Sequence, residues 1–191
     1  MGLPQQKPLT VADYMGAADD SRWELIDGVI YDMSPAPVIK HQSLSGQVFF
    51  GLRQALNSRG DGGGDGPPPP CQIFAAPIDV VLGLRTVVQP DVIVVRDPAK
   101  LANGKYVDGA PDLVVEILSP GTAKKDRLTK RLAYQAAGVP EYLIIDPAAE
   151  TVEQFLLEDG IYPAPNVFAP GDSMVLQLLP EAEFAVAEWF A

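Results

Sequence analysis

One cysteine, Cys71, and one histidine, His41, are all the thiol and imidazole that 191 residues offer. An internal disulfide is therefore excluded, and a zinc centre of Cys and His ligands finds no donors. No apolar run approaches the ~20 residues that a membrane-spanning helix needs, so no membrane association is expected. Met1 to Leu9 is polar and proline-bearing, without the apolar stretch of a secretory leader. Basic charge is scarce as well: 14 Lys and Arg face 25 Asp and Glu, a net charge of −11. That balance argues against a broad nucleic-acid-binding surface and confines any such contact to a local basic patch. What is present is 47% hydrophobic, which predicts one globular cytoplasmic domain with a full core.

The order of elements predicts an α/β (α+β) domain on a mixed sheet. Thr10 to Ala17 reads as a short helix with Thr10 as its cap. Trp23 to Tyr31 reads as a hairpin turning at Asp27-Gly28. Leu44, Val48, Leu52, Ala55 and Leu56 fall at helical spacing and predict a long helix over about residues 38–58. Gly60 to Pro70, GDGGGDGPPPP, reads as an exposed loop. Ile73 to Leu82 and Thr86 to Val95 read as two strands, and Asp97 to Asp108 as a polar loop. A strand over 113–118, a helix over about 123–137 and a strand over 142–145 fit a right-handed parallel crossover. The strand of Thr151 to Leu157 and those around Val167 and Val175 read as a meander, with a short helix over 181–190 closing the chain. The core is expected over about 23–147, with a C-terminal β extension over about 150–191.

From Leu113 to Leu118 every residue is apolar except Glu116, the pattern of a strand buried on both faces. An ionised carboxylate there needs a partner. Asp91 stands at the head of another apolar strand. If the two strands neighbour each other the carboxylates converge, and oxygen donors without histidine or cysteine suit Mg²⁺ or Mn²⁺. On the residues alone, Asp91 capping a turn and Glu116 forming a salt bridge is an equal reading. At ~100° per residue, Leu128, Leu132, Ala133, Ala136 and Ala137 make an apolar arc. Lys124, Arg127, Arg131 and Gln135 lie opposite, and Asp126 and Lys130 sit at the margin. Lys130 then either pairs with Asp126 four residues back or leans towards Glu116.

The segments WELIDGVIYDMSPAPVIKHQSLSGQV and PDV…DLVVEILSPGTAKKDRLTKRLAYQAAGVPEYLIIDP resemble the Uma-two family of restriction-endonuclease-like proteins, over about Trp23 to Pro147. The resemblance implies the PD-(D/E)xK nuclease fold, with a mixed central sheet flanked by helices. Asp91 matches the Asp of the PD motif and Glu116 the acid of (D/E)xK. Glu24 matches an acidic position that can join the metal shell. Leu118 stands where the superfamily's lysine would be, and Lys130 matches the helix lysine that takes over in this family. The resemblance implies Mg²⁺- or Mn²⁺-assisted hydrolysis of DNA, with Asp91, Glu116 and Glu24 holding the ion and Lys130 at the phosphate. Lys124, Lys125, Arg127 and Arg131 would grip the DNA backbone, although a solvated helix face explains that cluster equally. A homodimer follows by fold-level analogy, with exposed apolar residues expected around Phe155 and Trp189. The alternative is an inactive scaffold or interaction domain that keeps the nuclease fold.

Overall fold

The structure, a computed structural model, describes residues 7–17, 23–33, 37–58 and 71–191. The loop expected over 60–70 lies outside these. Helix α1 (Val11–Met15) begins at a capping box: Thr10 Oγ1 accepts from the Asp13 N–H, and the Asp13 carboxylate accepts from the Thr10 N–H. Strands β1 (Trp23–Ile26) and β2 (Val29–Asp32) form the expected hairpin, with positive φ at Asp27 and Gly28. Helix α2 (Ile39–Ser58) follows. Then come β3 (Gln72–Ala75), β4 (Val80–Gly83), β5 (Thr86–Val88), β6 (Val92–Val95), β7 (Val107–Asp108) and β8 (Leu113–Ile117). Helix α3 opens as a π-helical turn, Lys125–Lys130, and continues as an α-helix, Arg131–Ala137. The chain ends with β9 (Glu141–Asp146), β10 (Thr151–Leu156), β11 (Asn166–Phe168), β12 (Ser173–Leu176), β13 (Leu179–Ala185) and α4 (Val186–Phe190).

Two sheets carry the domain. The larger has the order β11-β10-β9-β8-β6-β3, with β8 and β9 parallel and the remaining neighbours antiparallel. The smaller has the order β2-β1-β5-β4-β7, and β12 and β13 pair on their own. Side-chain alternation sorts the large sheet's residues into two cores. Val92, Val94, Leu113, Val115, Ile117, Leu143 and Ile145 meet α2, α4 and the β12–β13 pair. Ile93, Val95, Val114, Leu118, Tyr142 and Ile144 meet Tyr134 of α3 and the inner face of the smaller sheet. Gly138, in the left-handed conformation, ends α3 and turns the chain into β9.

Four readings of the sequence need correction. The strands expected over Ile73–Leu82 and Thr86–Val95 are each cut in two: β3 and β6 pair in the large sheet, β4 and β5 in the small one. Pro77 and Pro90 stand at the cuts, where a residue without an N–H cannot continue a ladder. The polar loop over 97–108 contains a 3₁₀ turn, Pro98–Leu101, and the edge strand β7. The closing helix starts only at Val186, because Leu179–Ala185 pairs with β12. Phe155 and Trp189, expected to be exposed, are both 3% exposed and belong to the core. Cutting Leu52 to Ala, on the buried side of α2, should cost ~2–5 kcal/mol of unfolding free energy in urea. Phe50→Ala, on the exposed side of the same helix, should change it by less than ~0.5 kcal/mol.

Candidate functional site

Register brings the two predicted acids together. Val92 lies opposite Val115 in the β6–β8 pair, so Asp91, one residue earlier, stands opposite Glu116, one residue later. Both fall on the face of the sheet that α3 covers. Glu24 reaches the same point from β1 of the smaller sheet. Together with His41, Lys125, Asp126 and Lys130 they line a cleft of about 210 Å³.

The centre of this cleft is an ammonium group. Lys130 is 3% exposed, and its Nζ lies 2.5 Å from Glu116 Oε1, 2.8 Å from Glu24 Oε1 and 3.9 Å from Asp126 Oδ1. Tyr134 OH donates to the same Glu116 oxygen at 2.6 Å. Glu24, fully buried, receives a second ammonium, Lys125 Nζ at 2.6 Å from Oε2, and the Gln89 N–H at 2.9 Å from Oε1. Asp91 Oδ2 accepts the Ile117 N–H at 2.7 Å and lies 3.3 Å from His41 Nε2. That nitrogen also lies 3.0 Å from the Ile117 carbonyl oxygen. Buried Nδ1 of His41 has no partner among the described residues.

The π-helical turn makes this convergence possible. In an α-helix, residues five apart differ by ~140° around the axis. A turn closed by i→i+5 hydrogen bonds brings them nearly back over one another. Lys125 and Lys130 open and close that turn and end on one carboxylate. The predicted helix face needs correction. Leu128 and Leu132 are 49% and 56% exposed, whereas Asp126, Lys130 and Tyr134 are buried. The polar stripe, not the apolar arc, faces the sheet.

Charge decides the protonation states. Burial disfavours the ionised form of Glu24, but Lys130 and Lys125 outweigh it and hold its pKa below the ordinary carboxylate value. Burial pushes Glu116 well up; Lys130 opposes this, while Asp126, Asp91 and Glu24 add to it. Asp126 is raised, chiefly by burial. Burial works against the ammonium of Lys130, yet Glu116, Glu24 and Asp126 together raise its pKa. For His41, burial favours the neutral ring, but Asp91 and the Ile117 carbonyl outweigh it and raise its pKa. With four carboxylates and two ammonium groups around one cleft, negative charge is in excess when all are ionised.

That excess, carried by hard oxygen donors, has the chemistry to attract a divalent cation. Among the described residues, no three acidic, histidine or cysteine side chains already surround one point as a preformed cage. The polar contacts of Glu116 fall on Oε1 and those of Asp91 on Oδ2, leaving Glu116 Oε2 and Asp91 Oδ1 as the oxygens available to an ion. Both oxygens of Glu24 are engaged. Of the four cations expected to grip DNA, Lys125 lines the cleft and Lys124 is exposed. Arg127 is held by Asp146 and Glu153, and Arg131 lies 5.5 Å above the Phe155 ring. His41 and Tyr134, to which sequence reasoning assigned no role, both touch the acids, and the lone His near the start of α2 was the available signal for the first.

Folded Glu116 binds its proton more tightly than the unfolded chain, whose value is near 4.5. Its contribution to stability is therefore greatest below that value and declines as pH rises. Glu116→Gln removes this slope. The stability of the variant relative to wild type should improve as pH rises above about 4.5, read by urea unfolding at each pH; a difference moving the other way would contradict the assignment.

Comparison with known proteins finds a family and solved structures that the chain resembles. The model of the Uma2 family, described as "Putative restriction endonuclease", matches residues 11–187. The chain is also similar to a crystal structure described as a "putative nuclease belonging to DUF820" from Anabaena variabilis. The TM-score is 0.75 at 19% identity, over 96% of this chain and 98% of that one. At that identity the likeness establishes the fold. No curated protein matches the chain.

Proposed function

The chain belongs to the Uma2 family, and on that premise we propose that it is a metal-dependent endonuclease hydrolysing DNA phosphodiester bonds. The observation that carries the reading is the amine of Lys130 at 2.5 Å from Glu116. Position 118, two residues past this acid, holds a leucine buried in the core, so a lysine on the neighbouring helix supplies the charge that the strand does not.

Asp91 and Glu116 would hold Mg²⁺ or Mn²⁺ through the two oxygens that their neighbours leave open. Such an ion, when bound, supplies positive charge to the phosphate and makes water a stronger acid. Lys130 remains an ammonium because its pKa is raised, which makes it a donor to the phosphate or to the attacking water and not a base. Its position is fixed before substrate arrives, since both its carboxylate partners are buried. Lys125, at the rim of the same cleft, is placed to meet a non-bridging phosphate oxygen. His41 holds Asp91 Oδ2 together with the Ile117 N–H, which would leave Oδ1 for the ion.

The test is nicking of supercoiled plasmid with Mg²⁺ or Mn²⁺, beside a labelled RNA of similar length. Wild type should nick the DNA, and Asp91→Ala, Glu116→Ala and Lys130→Ala should each lose at least ~100-fold in rate. Nicking that survives all three substitutions would remove this cleft from the chemistry. Cleavage of the RNA alone would replace the substrate, and a folded protein that binds no divalent ion and cuts neither would favour a scaffold.

A further inference from the structure

Glu24 is the acid whose surroundings least resemble those of an ion ligand. Its carboxylate is fully buried, and each of its oxygens already meets an ammonium: Lys130 at 2.8 Å on Oε1 and Lys125 at 2.6 Å on Oε2. The Gln89 N–H adds a third contact, 2.9 Å from Oε1. Gln89 directly follows β5, the neighbour of β1 in the smaller sheet, where Leu25 lies opposite Val87, so the carboxylate is braced from the sheet it grows from. Glu116 and Asp91 differ from it: their polar contacts fall on one oxygen each, Oε1 and Oδ2, among the described residues. The π-helical turn gives the arrangement a purpose. Its two terminal residues are the two lysines that Glu24 receives, and a regular α-helix would point them ~140° apart.

We infer that Glu24 is a positioning residue: it clamps the amines of Lys125 and Lys130 side by side over the cleft and does not ligate an ion, and the π-helical turn exists to bring both amines to it. The inference rests on the reading of the cleft as a hydrolytic site for what the amines act upon, but the clamp can be tested without that chemistry. Two amines held by one buried carboxylate form a fixed pair of donors, suited to two oxygens of a single phosphate group. Removing the clamp would free the pair while leaving the ion's oxygens in place.

Two measurements on the full chain, free of added metal at the start, separate the possibilities. In the first, Mn²⁺ is titrated calorimetrically into wild type, Glu24→Gln and Glu116→Ala. Glu24→Gln should bind within about threefold of wild type while Glu116→Ala loses at least tenfold; equal losses in the two variants would make Glu24 a ligand and overturn the inference. In the second, lysines are reductively methylated in the metal-free protein and quantified by mass spectrometry. In wild type Lys125 and Lys130 should react several-fold more slowly than exposed Lys124, and in Glu24→Gln Lys125 should approach the Lys124 rate. Unchanged protection would overturn the inference. Should the neutral variant not fold, Glu24→Asp keeps the buried charge on a side chain too short to span both amines, and it too must release Lys125. If wild type binds no Mn²⁺ yet the methylation pattern changes as expected, the hydrolytic reading fails and the clamp stands.

Discussion

Lys130 carries its charge into the interior because two carboxylates from different sheets meet it there. Each of the three groups would be costly to bury alone. Glu24 and Glu116 share one ammonium at 2.8 and 2.5 Å, and in doing so they tie β1 of the smaller sheet, β8 of the larger and α3 to a single point. Removing Lys130 takes away the ammonium that both buried acids share, so the cleft's geometry is enforced by the same desolvation penalty that makes it expensive. The remaining groups adjust to that point: Tyr134 donates to the shared Glu116 oxygen, and Lys125 balances the second oxygen of Glu24.

Much of this could be read from the chain because it depends on alternation and isolation. A lone acid in the apolar run Leu113–Leu118 has to find a cation, and Asp91 heading another apolar run has to end near it once the strands pair. The long helix α2 and the parallel β8–α3–β9 crossover followed from periodicity and from Gly138. The helix face did not. A count at ~100° per residue assumes a regular helix, and the π-helical turn of Lys125–Lys130 breaks that assumption where it matters. No residue type announces such a turn; its two terminal lysines meet one carboxylate of the other sheet, a tertiary contact that the local sequence does not show. Leu128 and Leu132, which looked like core, are exposed because the buried acids draw Lys130 and Tyr134, on the other side of the helix, towards the sheet. The division of two long strands between two sheets was available in Pro77 and Pro90, but only with the knowledge that a second sheet exists to receive the other half.

The leucine at position 118 shows how an amine can move without leaving the site. Leu118 lies on the same face as Glu116 and packs in the core that Tyr134 and Tyr142 share. A lysine there would have to remove its methylenes from that packing to reach the acid. Supplied from α3, the amine approaches from above the sheet, and its stem lies within the helix layer. The strand keeps its apolar contacts and the site keeps its charge. In the proposed site, catalytic geometry would then depend on the pitch of a helix, which fits the presence of an uncommon helical turn and a bracing carboxylate at this place.

Electrostatics set an order on the proposed chemistry. The chain carries a net charge of −11, and the cleft itself holds four carboxylates against two ammonium groups. A phosphate approaching this surface meets repulsion at long range and again at close range. Arg127, one of the few cations nearby, is already neutralised by Asp146 and Glu153. Positive charge at the cleft must therefore increase before a nucleic acid can settle there, and a divalent ion between Asp91 and Glu116 is the addition that the open oxygens favour. With such an ion bound, Lys125 and Lys130 would no longer serve only to balance buried acids; the same two ammonium groups would be available, still fixed in place, to an incoming phosphate.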